Sequence, residues 1–200
     1  YTTLFRSLCG RNFEYFSEDP VVTGKIGTAI TLGIQSQGVG VSVKHYAMNS
    51  QESDRTIVDE RASKRALREI YLRGFEYVVR ESDPWTIMSA YNKVNGVFAQ
   101  GNKALLTDVL RNDWGFKGIV MTDWIGKREG QGLYTIDEVK AGNDLMTPGY
   151  PDQAKDIVEG VKNGKLDIRD VDRNVRRMLE YIVKTPRFRE YKFSNQPDLK

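Results

Sequence analysis

GIVMTDW (118–124) places a carboxylate, Asp123, directly after a short apolar run bounded by glycine. Such a run of apolar and β-branched residues reads as a strand buried on both faces, the pattern of a parallel sheet. Three other runs end the same way. VGVSV (39–43) runs into Lys44 and His45, TIMSA (86–90) into Tyr91 and Asn92, and the stretch around Leu145 and Met146 into Thr147 and Pro148. Each apolar run therefore delivers chemically capable side chains at its C-terminal end.

Amphipathic stretches separate these strands. Asp19 and Pro20 open a helix with a capping acceptor and a proline at the first turn; Val22, Ile26, Ile30 and Ile34 give it an expected inward face, and Gly38 stops it. A second helix is expected over 59–81, with Ala62, Ala66, Ile70 and Leu67, Tyr71, Phe75, Val79 inward and Glu69–Arg73 and Glu76–Arg80 paired outward. The spacing of Leu105, Leu106, Val109 and Leu110 predicts a third over about 102–112. A glycine-rich loop spans 124–133, a short helix 136–141, and a brief fourth strand 144–146. Ala154, Ile157, Val158 and Val161 mark one further helix, and Ile168, Val171, Val175, Met178, Leu179 and Ile182 the last. Alternating strands and helices with polar groups at strand ends imply an α/β fold of (β/α)8 TIM type, in which the C-terminal strand ends carry the chemistry. Four strands are half of such a barrel, so the expectation is a partial barrel over 10–190, roughly its C-terminal half. A small open α/β domain is the other reading.

The composition of the 200 residues, 40% apolar and 28% charged, is that of an ordinary globular chain. Thirty Lys and Arg against 27 Asp and Glu leave a net charge of +3, with the basic residues scattered among acidic ones, so a nucleic-acid partner has no support. No apolar stretch approaches the roughly 20 residues that cross a bilayer. Cys9 and His45 are the sole cysteine and histidine, which excludes an intrachain disulfide and Cys- or His-based metal sites. Neither a metal nor a cofactor is expected. YTTLFRS (1–7) reads like a translated sequencing-adapter tail, so 1–9 is expected to be a non-native leader, a coincidental strand or loop being the alternative, and 191–200 a tail toward a following domain.

GRNFEYFSEDP (10–20), KHYAMNSQE (44–52), SAYNKVNG (89–96), GFKGIVMTDW (115–124) and AGNDLMTPG (141–149) together resemble, in order and spacing, glycoside hydrolase family 3, the β-glucosidase and β-xylosidase family. The resemblance implies a retaining mechanism in which an aspartate attacks the anomeric carbon while a second carboxyl group protonates the departing oxygen. On this pattern Asp123 is the nucleophile, kept ionised with help from nearby cations, where spacing alone would equally allow a helix-capping Asp. Lys44 and His45 match a pair that binds sugar hydroxyls; a surface lysine and a satisfied buried histidine are the plain alternatives. Arg11 matches a sugar-binding arginine, or else pairs with Glu14, Glu18 or Asp19. Met88 and Tyr91 match pocket-lining residues, Met88 being equally suited to core packing. Trp124 is expected to offer an aromatic face on the leaving-group side, with a core Trp as the rival.

The resemblance also marks what is missing. An early sugar-binding aspartate has no counterpart here, and the acid/base of the family usually lies in a sandwich domain after the barrel. Glu52 is the least implausible substitute. With one histidine, the branch that cleaves N-acetylglucosamine through a His–Asp acid/base is disfavoured. The implied partner is a β-glucoside or related oligosaccharide, cleaved by an exo-acting β-glucosidase-like enzyme. A non-catalytic carbohydrate-binding or scaffold module is the alternative. Compartment stays open, a periplasmic or secreted intact protein being one option.

Overall fold

A computed structural model describes residues 9–124, 130 and 132–188. The expected leader, except Cys9, the expected tail and most of the glycine-rich loop lie outside the described residues. The described elements are, in order, α1 (Pro20–Gln35), β1 (Ser42–Tyr46), β2 (Asp59–Glu60), α2 (Lys64–Ala66), α3 (Arg73–Ser82), β3 (Thr86–Ser89), β4 (Lys93–Val94), β5 (Val97–Phe98), β6 (Ile119–Met121), α4 (Thr135–Ala141), α5 (Pro151–Lys162) and α6 (Ile168–Lys184). A π-helical turn, Leu67–Tyr71, joins α2 to α3, and a π-helix, Ala104–Asp113, precedes β6.

The central sheet is parallel, in the order β1-β3-β6, with Val43 opposite Ile87 and Ile87 opposite Val120. Each strand lies beside the next in the chain with no reversal of direction, as in a barrel wall and unlike the switched order of a doubly wound sheet. The expected fourth strand at 144–146 is reduced to one parallel bridge between Met121 and Leu145. Its chain is diverted because Asp144 is fully buried by side chain and turned to another task. Its carboxylate accepts from the Val120 N–H (2.9 Å), Arg111 (2.5 Å) and Arg177 (3.0 Å). Arg111 in turn donates to the Gly118 carbonyl at 3.1 Å, and burial draws its guanidinium down to about 10.

Helices cover one face of this sheet. Val41, Val43, Ile87 and Val120 form a single core with Leu72, Phe75, Val78, Leu106 and Leu110, each large side chain contributing about 1.5–3 kcal/mol by its removal from water. Tyr46, fully buried, meets the edge of Phe75 at 5.0 Å and of Trp114 at 6.0 Å, and its hydroxyl donates to the Leu105 carbonyl. On the opposite face Met88 stands opposite Met121, both half-buried, and Ser42 Oγ lies 3.9 Å from Met121 Sδ.

Several expectations need correction. VGVSV is not itself the strand: β1 starts at Ser42 and contains Lys44 and His45. The inward face of α1 is Thr23, Gly24, Gly27, Thr28 and Thr31, while Val22 and Ile26 are 46% and 39% exposed. The reason is proximity: a Cβ on Gly24 would stand 2.7 Å from the Tyr77 ring, so α1 packs on α3 through its smallest residues. The second helix begins at Lys64, capped by Ser63, because Asp59–Glu60 pairs as a strand with β4. Its π turn inserts a residue and rotates the apolar stripe, leaving Ile70 exposed and burying Leu72, Phe75, Val78 and Val79. Glu76 pairs with Arg80 as expected, whereas Glu69 takes Arg65 and Arg73 takes Glu76. The β4–β5 hairpin was not anticipated, although Asn95-Gly96, both at positive φ, is the dipeptide that its tight turn requires. Val158, Val175, Leu179 and Ile182 are exposed, not inward.

Removing the charge of Asp144 is expected to leave Arg111 buried without its partner. Asp144→Asn should lower the unfolding free energy by about 3–5 kcal/mol, whereas Asp167→Asn at the exposed pair with Arg169 should leave stability nearly unchanged. Urea titration of both variants checks this.

Candidate active site

A register shift between Val43 and Tyr46 places one extra residue in β1 opposite β3, and the extra residue falls at Lys44 and His45. A bulge of this kind re-aims side chains at a sheet end. The peptide bonds Lys44–His45 and Tyr46–Ala47 are cis. From this bulge His45 turns inward, its side chain 2% exposed, while Lys44 stays 30% exposed.

Asp123 follows β6 and is buried. Its Oδ1 accepts the Trp124 N–H at 2.8 Å, the Tyr91 side chain hydrogen-bonds to it, and Oδ2 lies 3.7 Å from His45 Nε2. That separation is too long for a hydrogen bond. Burial, with the neighbouring charges of Lys44, Arg11 and Arg55, pushes the imidazole down to about 2, so the contact pairs a carboxylate with a neutral ring. The Asp123 carboxyl itself is raised above the ordinary aspartate range. Burial is the largest cause, opposed by the Trp124 N–H, Arg55, Tyr91 and Arg11. The expectation that nearby cations hold it low is therefore corrected: loss of hydration outweighs them.

A polar scaffold lies behind the nucleophile candidate. Gln100 Nε2 donates to the Asp123 carbonyl at 3.3 Å, Asn143 donates to the Gln100 carbonyl, and Asn174 of α6 donates to the Asn143 carbonyl at 2.6 Å. Ser89 Oγ at the end of β3 reaches the Met121 carbonyl at 3.1 Å and Asn143 Oδ1 at 3.3 Å. The Asp123 backbone is thus held by Gln100, which Asn143 and Asn174 back in turn.

The cations line one side. Arg55 lies over the Tyr91 ring at 5.1 Å and bonds Glu52 at 2.9 Å. Arg11 bonds Glu14 at 2.5 Å and stands 4.0 Å from Glu52, and Lys44 is 3.2 Å from the second oxygen of Glu14. The ion pair with Glu14 weighed for Arg11 is thus present, and it sits within the site. Trp124 is 59% exposed and so is not a core residue. Met88 shares one face of the sheet with Met121, both half-buried, without a bond to the charged cluster among the described contacts. Glu52 has both oxygens taken, by Arg55 and Asn49, an arrangement that leaves it poorly placed to deliver a proton.

Sequence reasoning missed Arg55, Gln100 and Asn143. Arg55 follows KHYAMNSQE within three residues but sits in a polar loop without periodicity. Gln100 had a readable signal, an amide closing the apolar VFA, and it is fully buried.

The depressed His45 pKa sets a sign for acid stability. The unfolded chain takes up a proton near pH 6.5 that the folded chain refuses down to about 2, so His45 contributes stability above 6.5 that is lost as pH falls. Stability should fall by on the order of 1 kcal/mol per pH unit below 6.5 from this group. His45→Gln should flatten that slope in urea titrations at pH 7.5, 6 and 5; an unchanged slope would refute the assignment.

The sequence model described as the glycosyl hydrolase family 3 N terminal domain matches residues 6–181. The chain is 49% identical over 179 residues, 89% of its length, to an exo-α-(1→6)-L-arabinopyranosidase of Bifidobacterium breve, and 43% identical over 198 residues, 96% of its length, to β-glucosidase B of Emericella nidulans. It covers 23% of each of those proteins. The structure of β-glucosidase 3B from Thermotoga neapolitana in complex with glucose superposes with a TM-score of 0.92 at 46% identity, covering 99% of this chain and 28% of that one. The chain therefore spans about a quarter of the length of the relatives it matches. A family match over most of the chain, on a parallel sheet that ends in a buried Asp123, shows that this chain belongs to glycosyl hydrolase family 3, within its N-terminal domain.

Proposed function

We propose that this chain carries the nucleophile side of the active site of a retaining, exo-acting β-glycosidase of the β-glucosidase type. The observation that carries the reading is the convergence on one buried carboxylate, Asp123, of Tyr91, a neutral His45, and the charges of Arg55 and Arg11. A desolvated carboxylate is a stronger nucleophile than a hydrated one, and the surrounding donors hold it in place.

In the proposed reaction Asp123 attacks the anomeric carbon, forming a C1–O bond as the bond to the aglycone oxygen breaks. A carboxylic acid gives that oxygen its proton. Water then attacks C1, the acid's conjugate base takes the water proton, and the aspartate leaves. Arg11, Lys44 and His45 are the proposed hydroxyl-binding groups, because an ammonium and a guanidinium form charge-assisted bonds that fix a pyranose. Tyr91 orients Asp123, Arg55 holds Tyr91 by stacking, and Trp124 offers an exposed ring to the leaving-group side. Met88 lines the sugar pocket from β3. Glucose in complex with the Thermotoga enzyme supports a β-glucoside as the first substrate to test.

Glu14 and Glu52 are both bound to arginine, so the acid/base is assigned to a domain outside this chain. A partial barrel accounts for the unpaired surfaces. The Met88–Met121 side of the sheet is half-exposed, and apolar stripes on α1 (Val22, Ile26) and α6 (Leu179, Ile182) have no partner among the described residues. We assign 10–190 to roughly the C-terminal half of a (β/α)8 barrel, its remaining strands and a following sandwich domain completing the intact protein. As an isolated piece the chain is expected to turn over substrate at least about a hundredfold more slowly than the intact protein, the usual cost of a missing acid/base.

The test is to incubate the full-length gene product with a 2-deoxy-2-fluoro-β-glucoside, whose fluorine disfavours the oxocarbenium-like transition state and allows the adduct to accumulate. Mass spectrometry is expected to find the sugar on the peptide containing Asp123, and Asp123→Asn should lower kcat by at least about ten-thousandfold. A label on another residue would refute the assignment. Sugar binding without any adduct would favour the non-catalytic reading.

A further inference from the structure

Lys44, Arg11 and Arg55 crowd one side of the site, and three cations at such spacing repel one another unless anions lie between them. The anions are present. Glu14 stands between Lys44 and Arg11, with Oε2 3.2 Å from the Lys44 ammonium and Oε1 bonded to Arg11 Nη2 at 2.5 Å and Nε at 2.6 Å. Glu52 stands between Arg11 and Arg55, with Oε1 4.0 Å from the first and Oε2 2.9 Å from the second. Charge thus alternates along the row Lys44, Glu14, Arg11, Glu52, Arg55.

We propose that Glu14 is a positioning residue for sugar binding: by giving one carboxylate oxygen to each cation, it sets the spacing at which Arg11 and Lys44 meet neighbouring hydroxyls of one pyranose. This assignment rests on the reading of Arg11 and Lys44 as sugar-binding groups. Three details support it. Glu14 spends two of the five N–H groups of Arg11 and one of the three of Lys44, so both cations keep donors for a ligand. Its side chain is only 19% exposed, where an ion pair is less screened than at the surface. Although burial pushes its carboxyl up, the bonds from Arg11 and Lys44 win and hold it below the usual glutamate range, so both oxygens stay acceptors. Lysine carries high rotamer entropy, and ordering it before the sugar arrives removes that cost from binding. The consequence is an effect on KM more than on kcat, since the contacts are made to the sugar in ground and transition state alike.

The experiment uses the full-length gene product and an aryl β-glucoside. Glu14→Gln keeps the shape and removes the charge; KM is expected to rise about tenfold with kcat within about threefold of the parent. Glu14→Asp, which keeps the charge with a shorter reach, should recover part of that loss. Because Glu14 acts through Lys44, Glu14→Gln added to Lys44→Met should raise KM by less than it does alone. An unchanged KM in folded Glu14→Gln, or a fall in kcat alone, would overturn the proposal. So would equal losses in the Gln and Asp variants combined with additive effects in the double variant. Should Glu14→Gln fail to fold, a folded Glu14→Asp with parental KM overturns it and one with raised KM supports it. A parent protein without turnover and without an adduct on Asp123 removes the hydrolase reading and this proposal together, whereas an active parent indifferent to Glu14 removes only the second.

Discussion

Taking a carboxylate out of water is the constraint around which the described site is arranged. Asp123 is buried at the end of a parallel strand, and burial raises its carboxyl despite a backbone N–H, a tyrosine and two arginines. A group placed there for packing alone would be an apolar residue, because the hydration lost is not regained from so few donors. The unfavourable placement fits the nucleophile role proposed for the side chain. It persists because the backbone of Asp123 is held by Gln100, which Asn143 and then Asn174 hold in turn.

The same economy governs the charges. His45 stays neutral because an imidazolium at that depth would lie beside Lys44, Arg11 and Arg55 without enough solvent to screen it. The three cations stay together because Glu14 and Glu52 alternate with them. Elsewhere Asp144 binds Arg111 and Arg177 in the fold's interior, a lock that joins the chain after β6 to the helices around it. Buried charge therefore occurs twice in this chain, once at the Asp144 lock and once at the candidate site around Asp123.

Much of the framework was legible from local pattern. The Asp19-Pro20 helix start, the buried stripe of Leu105, Leu106, Val109 and Leu110, and the strands after Trp85 and Gly118 all appear where apolar spacing and capping chemistry put them. The errors share a cause. An apolar stripe predicts which face of a helix is suited to burial, and it says nothing of whether a partner is present to bury it. Val22 and Ile26 on α1, like Leu179 and Ile182 on α6, have the right spacing and remain exposed. The π turn at Leu67–Tyr71 and the bulge at Lys44–His45 are single-residue insertions, invisible to a periodicity that assumes none.

Sequence by itself determined the fold class, the family, and the candidates Asp123, Lys44, His45, Arg11 and Tyr91, because these are carried by residue type and by spacing along the chain. It could not set which charges meet. That Glu14 lies between Arg11 and Lys44, that Arg55 covers Tyr91, and that Gln100 holds Asp123 depend on segments 23 to 36 residues apart being folded onto one strand end. Electrostatic energies vary with separation and solvent exposure. Only the tertiary structure sets either quantity, so the chemistry of Asp123 was decided there.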